Sequence, residues 1–378
     1  MRNLNFDERP ILVFWETTRS CLLSCRHCRA EAMVEPAVNE MNTAQGMQFI
    51  ESLTEFGRPY PVLILTGGDI LMRPDAFDLA KRARELGIPV GFAPSVTPKL
   101  TEQNIQKMSD LGIKAVSISL DGATAQTHET IRGVAGHFKQ TVEALSRLVK
   151  AGFTVQVNTA VMRDNVMELP AIVQILKETG VSVWEVFFLI HVGRGHGVKE
   201  LSAYEHEQIA HFLYDASRYN IHVRTVEGPF FRRIIVNRKD TIDTFDDVLT
   251  RFSLGDLYGE LTQDLQKRLG DPEANALSQT SGTRDGKGII FVAHDGTVYP
   301  AGFLPLPLGN ILNEKLADIY RHHPLLKKIR GAQFSGRCGQ CEYRDLCGGS
   351  RARAFAAYGD PLAEDQACFY TPTLANRS

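Results

Sequence analysis

The sequence predicts an α/β fold, a partial (β/α)6 TIM-like barrel followed by a smaller C-terminal domain. Between residues 11 and about 190, short apolar or β-branched runs alternate six times with helix-like stretches, and Gly, Ser, Thr or Pro turns mark the junctions. Beyond about residue 200 this alternation gives way to a charged, weakly patterned region and then a cysteine-rich tail. Strands separated by helices pair in parallel through right-handed crossovers, which puts the chemistry at the C-terminal ends of the strands. An open doubly wound sheet is the alternative and obeys the same placement rule.

The strand candidates in order are "ILVFWETT" (11–18), "VLILTGG" (62–68), "VGFAPSV" (90–96), "AVSISLDG" (115–122), "TVQVNTAVM" (154–162) and "VSVWEVFFLI" (181–190). Between them lie "AQGMQFIESLTEF", "AFDLAKRARELG", "TEQNIQKMSDLG", "FKQTVEALSRLVKAG" and "ELPAIVQILKETG", several of which end at the Gly expected just past a helix. Downstream come a polar helix-like segment, "SAYEHEQIAHFLYDASRY", then "HVRTVEGPFFRRIIV", and a hairpin, "IIFVAHDGTVYPAGF", turning at Asp295-Gly296. The expected division is 1–230 for the barrel and 231–378 for the second domain. No internal repeat of 20–50 residues stands out.

With 378 residues, 43% of them hydrophobic, the chain can fill a sizeable core. Its 42 basic and 44 acidic residues give a net charge of −2, so no polyanion-binding surface is expected and nucleic acid is excluded as the main partner. The N-terminal apolar run is only five residues long, too short for a signal sequence, and no later run approaches a membrane span, so a cytoplasmic protein without a membrane partner is expected. Seven cysteines in a reducing compartment are poorly explained by disulfides, and an odd number cannot all pair within one chain. Metal ligation is the leading explanation.

Cys21, Cys25 and Cys28 form a CX3CX2C array directly after the first strand. Three thiolates on one loop can hold three corners of a cubane cluster and leave the fourth iron open for a substrate or cofactor, whereas structural sites are closed. A zinc knuckle completed by His27, or three buried free thiols, are the plainer readings. Further polar groups fall at strand ends: Ser95 and Thr97 after strand three, Ser119 and Asp121 at strand four, Asn158 on strand five. Each can equally serve as a turn or cap residue. "HVGRGHG" lacks strand-to-helix GxGxxG spacing and reads as a flexible turn rather than a phosphate loop; if it lines the mouth, Arg194 meets an acidic substrate. In the tail, Cys338, Cys341 and Cys347 form CX2CX5C, with Cys368 the only cysteine left to complete four. Such a set closes a [4Fe-4S] or a zinc site.

The first array and its setting resemble the radical SAM superfamily, in which three such cysteines hold a [4Fe-4S] cluster and the amino and carboxylate groups of S-adenosylmethionine chelate the fourth iron. "LTGGD" is similar to the family's GGE motif, so the resemblance gives Gly67, Gly68 and Asp69 to the cofactor's methionyl end, with Asp in place of the usual Glu. "SISLDG" followed by "HETIRG" resembles relatives in which the Ser and Arg meet ribose and carboxylate, which assigns those roles to Ser119 and Arg132. Ser95 and Asn158 join them as cofactor-binding candidates.

The tail resembles the SPASM/Twitch-like extension, which in its full form carries seven cysteines for two auxiliary clusters. Here Ala301 stands where one hairpin cysteine is expected, Ser350 or Arg351 where another is, and an upstream ligand near 280–286 is missing. All the losses fall on one cluster, and the resemblance leaves Cys338, Cys341, Cys347 and Cys368 as the full set for a single auxiliary [4Fe-4S] cluster. "WETTRSCLLSCRHCRAEA", "PVLILTGGD", "SISLDGA" and "CGQCEYRDLCGGSRARAFAAYGD" are together most similar to the radical SAM enzymes of alternative heme and heme d1 synthesis. That implies reductive cleavage of S-adenosylmethionine to a 5'-deoxyadenosyl radical, oxidative processing of a tetrapyrrole side chain, and a low-potential electron donor of flavodoxin or ferredoxin type. An enclosed cavity with cations such as Arg194, Arg224 or Arg232 is then expected, with Phe230 a departure from the polar residue such a relative would carry. A peptide-modifying maturase is the alternative, and a non-catalytic iron–sulfur or zinc protein the third reading.

Overall fold

The computed structural model describes residues 5–239, 244–272, 275–278 and 282–373. Seven parallel strands run in sequence order: β1 (Leu12–Glu16), β2 (Val62–Thr66), β3 (Val90–Phe92), β4 (Ala115–Ser119), β5 (Thr154–Val161), β6 (Val183–Phe188) and β7 (His222–Val226). Their outer layer is α1 (Thr43–Ser52), α2 (Ala76–Glu85), α3 (Glu102–Asp110), α4 (Ala125–Arg132), α5 (His137–Lys150), α6 (Leu169–Thr179) and α7 (Ala203–Ala216). Along each strand, fully buried residues such as Val13, Trp15, Leu63, Leu65, Ile118, Val157 and Trp184 pack outward against helices, and the alternate residues line the inside. The helices start where the sequence supplies caps: Asn42 and Ser202 each close a capping box, and Thr101 and Thr124 accept from the third residue onward.

The strand–helix repeat runs one unit further than the six read from the sequence, because "HVRTV" is β7, paired in parallel with β6. The preceding helix, α7, hid this unit. It looks polar, yet every residue from His206 to Ala216 is buried. α8 (Phe231–Arg238), α9 (Phe245–Arg251) and α10 (Asp256–Leu269) follow β7, with α8 and α10 packing on α7 and α10 also on α6. The buried acids of α7 are satisfied internally: Arg233 pairs with Glu207 at 2.5 Å, Arg238 with Asp215 at 2.7 Å, and the Tyr258 hydroxyl donates to Asp215 at 2.8 Å. The helices just after residue 230 therefore thicken the barrel wall.

The C-terminal part comprises β8 (Arg284–Asp285), β9 (Gly288–Val292), β10 (Thr297–Tyr299), β11 (Gly309–Asn310), α11 (Leu316–His322), α12 (Pro324–Arg330), α13 (Gly336–Gln340) and α14 (Arg351–Tyr358). β9 and β10 form the expected hairpin, with Gly296 at φ 83° in its turn. β9 also pairs in parallel with β1, which joins the hairpin to the barrel sheet. Of the region 280–286, residues 280 and 281 lie outside the described residues. Among the described residues, no helix is long and apolar enough to cross a membrane.

Candidate functional site

The CX3CX2C loop leaves β1 and is held from three sides. β2 holds it through its glycines: the Gly68 N–H donates to Thr18 O at 2.8 Å and the Asp69 N–H to Ser20 O at 2.7 Å. A Cβ on Gly67 would sit 2.5 Å from Thr18 O and one on Gly68 2.4 Å from Ser20 O, so only glycine permits this approach. α4 presses from the second side, with the Arg26 N–H donating to Ile131 O at 2.9 Å. The "GRGHG" segment closes the third: Arg194 donates from Nε to Cys25 O at 2.9 Å and from Nη1 to Ala32 O at 3.0 Å. Arg194 is thus a clasp on the cysteine loop, with two of its three guanidinium nitrogens taken up by loop carbonyls.

Each sulfur of the loop accepts a hydrogen bond. The Leu23 N–H donates to Cys21 Sγ at 3.4 Å, Arg132 Nη1 to Cys25 Sγ at 3.5 Å and the Ala32 N–H to Cys28 Sγ at 3.5 Å. Donors of this kind stabilise thiolates and tune iron–sulfur sites, so the loop fits a three-cysteine cluster. Burial, seconded by Asp69 and Cys25, pushes the Cys21 thiol up, which a bound metal would reverse. His27 points away from the cysteines toward Asp121, with Nε2 3.6 Å from Oδ2, so the knuckle reading has no support from its placement.

The strand-end residues divide into two groups. Asp69 is fully buried, accepting from the Leu71 N–H at 3.1 Å, the Ser95 N–H at 3.2 Å and the Thr97 hydroxyl at 2.8 Å. Its side chain is a brace between the β2 and β3 loops and not a group facing the cofactor; burial pushes its carboxyl up against these donors. Ser95 donates to Gly68 O at 3.2 Å and stands 3.8 Å from Cys21 Sγ. Arg132 lies 2.6 Å from Asp121, whose carboxyl, despite burial, is held below the usual range by Arg132 and His27. Below them, the Asp121 N–H donates to His128 Nδ1 at 3.2 Å, and His128 Nε2 meets His137 Nδ1 at 2.7 Å.

The second group forms a row across the inner face: Ser119 is in register with Asn158, Asn158 with Glu185, and Glu185 with Arg224. Gln156 donates to Asn158 Oδ1 and to Glu185 Oε2, both at 2.8 Å. Burial pushes the Glu185 carboxyl up. Arg224 is exposed and pulls the Glu185 carboxyl down against burial, without a carboxylate within 4.0 Å among the described residues. One row further along, Phe187 meets Phe303, from the loop after β10, with ring centroids 5.9 Å apart. The sequence reading passed over Glu185, although a lone acid inside "VWEVFF" at inward period was the signal.

Cys338, Cys341, Cys347 and Cys368 line one cavity together with Phe230, Tyr343 and Tyr370. The Asp365, Tyr343 and Gly349 N–H groups donate to the sulfurs of Cys338, Cys341 and Cys347 at 3.3, 3.4 and 3.4 Å. The four thiols share this cavity as the donor set that a closed four-cysteine site needs, and burial holds all four above their ordinary range, Cys347 at about 11. Phe230 is buried here, stacked against His206 and packed edge-on to Phe188, away from the barrel row. Arg232 reaches the Leu346 carbonyl at 3.1 Å, so it too is turned from the barrel. Where a second auxiliary cluster would need ligands, Ser350 caps α14 and donates to Glu227, Ala301 is buried, and Arg351 is buried among carbonyls.

Comparison with known proteins places these features in context. Residues 15–176 match the family model described as the radical SAM superfamily, and residues 284–342 match an iron–sulfur cluster-binding domain, SPASM. The chain is 34% identical over 372 residues to an AdoMet-dependent heme synthase of Nitratidesulfovibrio vulgaris, covering 96% of this chain and 92% of that protein. It is 27% identical over 369 residues to a pre-heme d1 synthase of Dinoroseobacter shibae, covering 96% and 87%. Streptococcus suis SuiB bound to S-adenosylmethionine shares the fold, with a TM-score of 0.68 at 12% identity over 96% of this chain and 78% of that one.

Proposed function

The chain belongs to the radical SAM superfamily and carries an iron–sulfur cluster-binding extension, and from that membership we propose that it oxidises carboxylate-bearing side chains of a tetrapyrrole. When bound, its [4Fe-4S] clusters and S-adenosylmethionine supply a one-electron reductive cleavage that yields a 5'-deoxyadenosyl radical able to abstract a substrate hydrogen. We assign Cys21, Cys25 and Cys28 to the first cluster and Cys338, Cys341, Cys347 and Cys368 to the auxiliary one, with 1–230 carrying the former and 231–378 the latter. Gly67, Gly68, Ser95, Ser119, Arg132 and Asn158 are assigned to the cofactor, with Asp69 positioning Ser95 behind them.

The observation that carries the substrate reading is the row ending in Arg224. It places the Arg224 guanidinium, faced by Glu185 whose carboxyl burial pushes up, at the end of the inner-face row that begins with the cofactor residues Ser119 and Asn158, where a substrate carboxylate would be fixed by a charge-assisted pair. Phe187 and Phe303 add an apolar wall for a flat macrocycle. The heme synthase named above, similar over nearly the whole chain, gives the substrate class. The reductant would be a low-potential flavodoxin- or ferredoxin-type protein in the cytoplasm.

Anaerobic protein with S-adenosylmethionine, dithionite and an iron porphyrin bearing propionates tests this. The expected result is 5'-deoxyadenosine formed in proportion to a side-chain-modified porphyrin seen by mass spectrometry. Cofactor cleavage that is indifferent to every porphyrin offered would sink the substrate assignment while leaving the radical chemistry intact.

A further inference from the structure

Around the four tail cysteines the structure gathers guanidinium groups that no carboxylate neutralises. Arg351 is fully buried, with Nη2 3.8 Å from Cys338 Sγ. Nε donates to Gly349 O at 3.2 Å, Nη1 to Pro361 O at 2.9 Å and Ala363 O at 2.6 Å, and the guanidinium lies 4.3 Å over the Phe334 ring. Arg284 donates to Arg344 O at 3.0 Å and Asp345 O at 2.6 Å, and Arg232 to Leu346 O at 3.1 Å, so both grip the loop between Cys341 and Cys347. Among the described residues, no carboxylate lies within 4.0 Å of any of the three cations. The nearby acids are taken: Glu364 by Arg337, Asp345 by Arg344, Asp365 by Arg353. Asp285 accepts from the Ala352 N–H and acts on Arg351 and Arg232 only from beyond 4.0 Å, and burial pushes its carboxyl above the usual range against their pull, so it offsets them in part.

A buried cation without an anion is strongly disfavoured. A four-thiolate cubane is anionic in both of its accessible states and supplies the missing charge. At the first cysteine site Arg194 grips loop carbonyls and no sulfur, and the cation that does reach a sulfur is paired. That cation, Arg132, lies 3.5 Å from the sulfur of Cys25, but its other nitrogen is 2.6 Å from Asp121, which neutralises it.

We propose that Arg351, seconded by Arg232 and Arg284, is the counter-cation of the auxiliary cluster and raises its reduction potential. Taking up an electron makes a cluster more negative, so a fixed, unneutralised cation in a poorly screened site favours the reduced form. Arg351 is a positioning residue that acts through the cluster. The inference rests on the tail cysteines holding a cluster, which iron counting tests separately.

Full-length protein, reconstituted anaerobically, is titrated by EPR potentiometry with iron counted for wild type, Arg351→Gln and Arg351→Lys. The glutamine variant is expected to keep its iron and to show a more negative auxiliary midpoint, with lysine restoring it and the first cluster unmoved. Loss of iron in the glutamine variant with retention in the lysine variant would equally support a charge requirement. An unchanged midpoint in the glutamine variant, an equal fall in both, or iron loss from both would overturn it. Wild type holding only one cluster would overturn this inference together with the reading of the tail.

Discussion

The Asp69 carboxylate accepts the Thr97 hydroxyl at 2.8 Å from a position with no solvent exposure, fixing the end of β3 to the glycine loop of β2. Relatives in the superfamily place Glu at this point, as the sequence comparison of "LTGGD" with GGE implies. The extra methylene would have to enter a fully buried site whose carboxylate already holds three hydrogen bonds. Asp69→Glu restores the family motif and is nonetheless expected to destabilise by about 1–3 kcal/mol, as overpacked sites do. Urea denaturation of the two proteins would decide it; equal midpoints would mean the loop yields.

Gly68→Ala drives a Cβ to 2.4 Å from Ser20 O and 2.7 Å from Arg19 O, both backbone atoms that cannot rotate away. The cysteine loop must shift, so roughly half the iron is expected to be lost, from the first site alone, with about 1–3 kcal/mol of stability. Iron analysis alongside the EPR signal of the auxiliary cluster would separate a local from a global effect.

Cys25→Ala should abolish 5'-deoxyadenosine formation and leave about four irons per chain, and Cys341→Ala should leave the first cluster able to cleave S-adenosylmethionine without completing the product. Tightly bound zinc in the Cys25→Ala protein would contradict the assignment of the tail.

Arg224→Gln removes a charge-assisted bond of about 1.5–3 kcal/mol to a substrate carboxylate. The porphyrin KM is therefore expected to rise roughly 10- to 100-fold, with cofactor cleavage in the absence of porphyrin unaffected. An unchanged KM would remove Arg224 from the site.

His206 and His128 are both held neutral, at about 3, chiefly by burial. As pH falls through the unfolded value near about 6.5, the unfolded chain takes up protons that the folded one refuses, so stability falls from there toward about pH 3. Each contributes up to about 1.4 kcal/mol of loss per pH unit in that window. His206 lies between Phe188 and Phe230, so His206→Phe should flatten the dependence between pH 6.5 and 5.5 in urea melts; an unaltered slope would rule out His206 as its source.

How far the sequence could be read differs between elements. β1 to β6 were legible because each is a short apolar run between turn residues, and the hairpin because Asp295-Gly296 fixes its turn. β7 was not, because α7 before it carries Glu207, His211 and Asp215 on buried faces, where Arg233 and Arg238 of α8 and Tyr258 of α10 partner the two acids and His211 meets Glu207 within the helix. Arg194, Arg224 and Arg232 are equivalent in sequence, and only their neighbours separate them: Arg194 is spanned by carbonyls of the cysteine loop, Arg232 is drawn to the tail, and Arg224 alone stands on the inner face.

The sequence by itself determined the α/β repeat, the two cysteine sets and the residue types at the strand ends, since periodicity and ligand spacing are local properties of the chain. The tertiary structure decided what those residues do: that Gly67 and Gly68 press on the cysteine loop, that Asp69 faces inward as a brace, and that Arg132 is neutralised by Asp121 while Arg351 is not. A charge acquires its effect from the counter-charges and solvent around it, and those come from segments that meet only when the chain has folded.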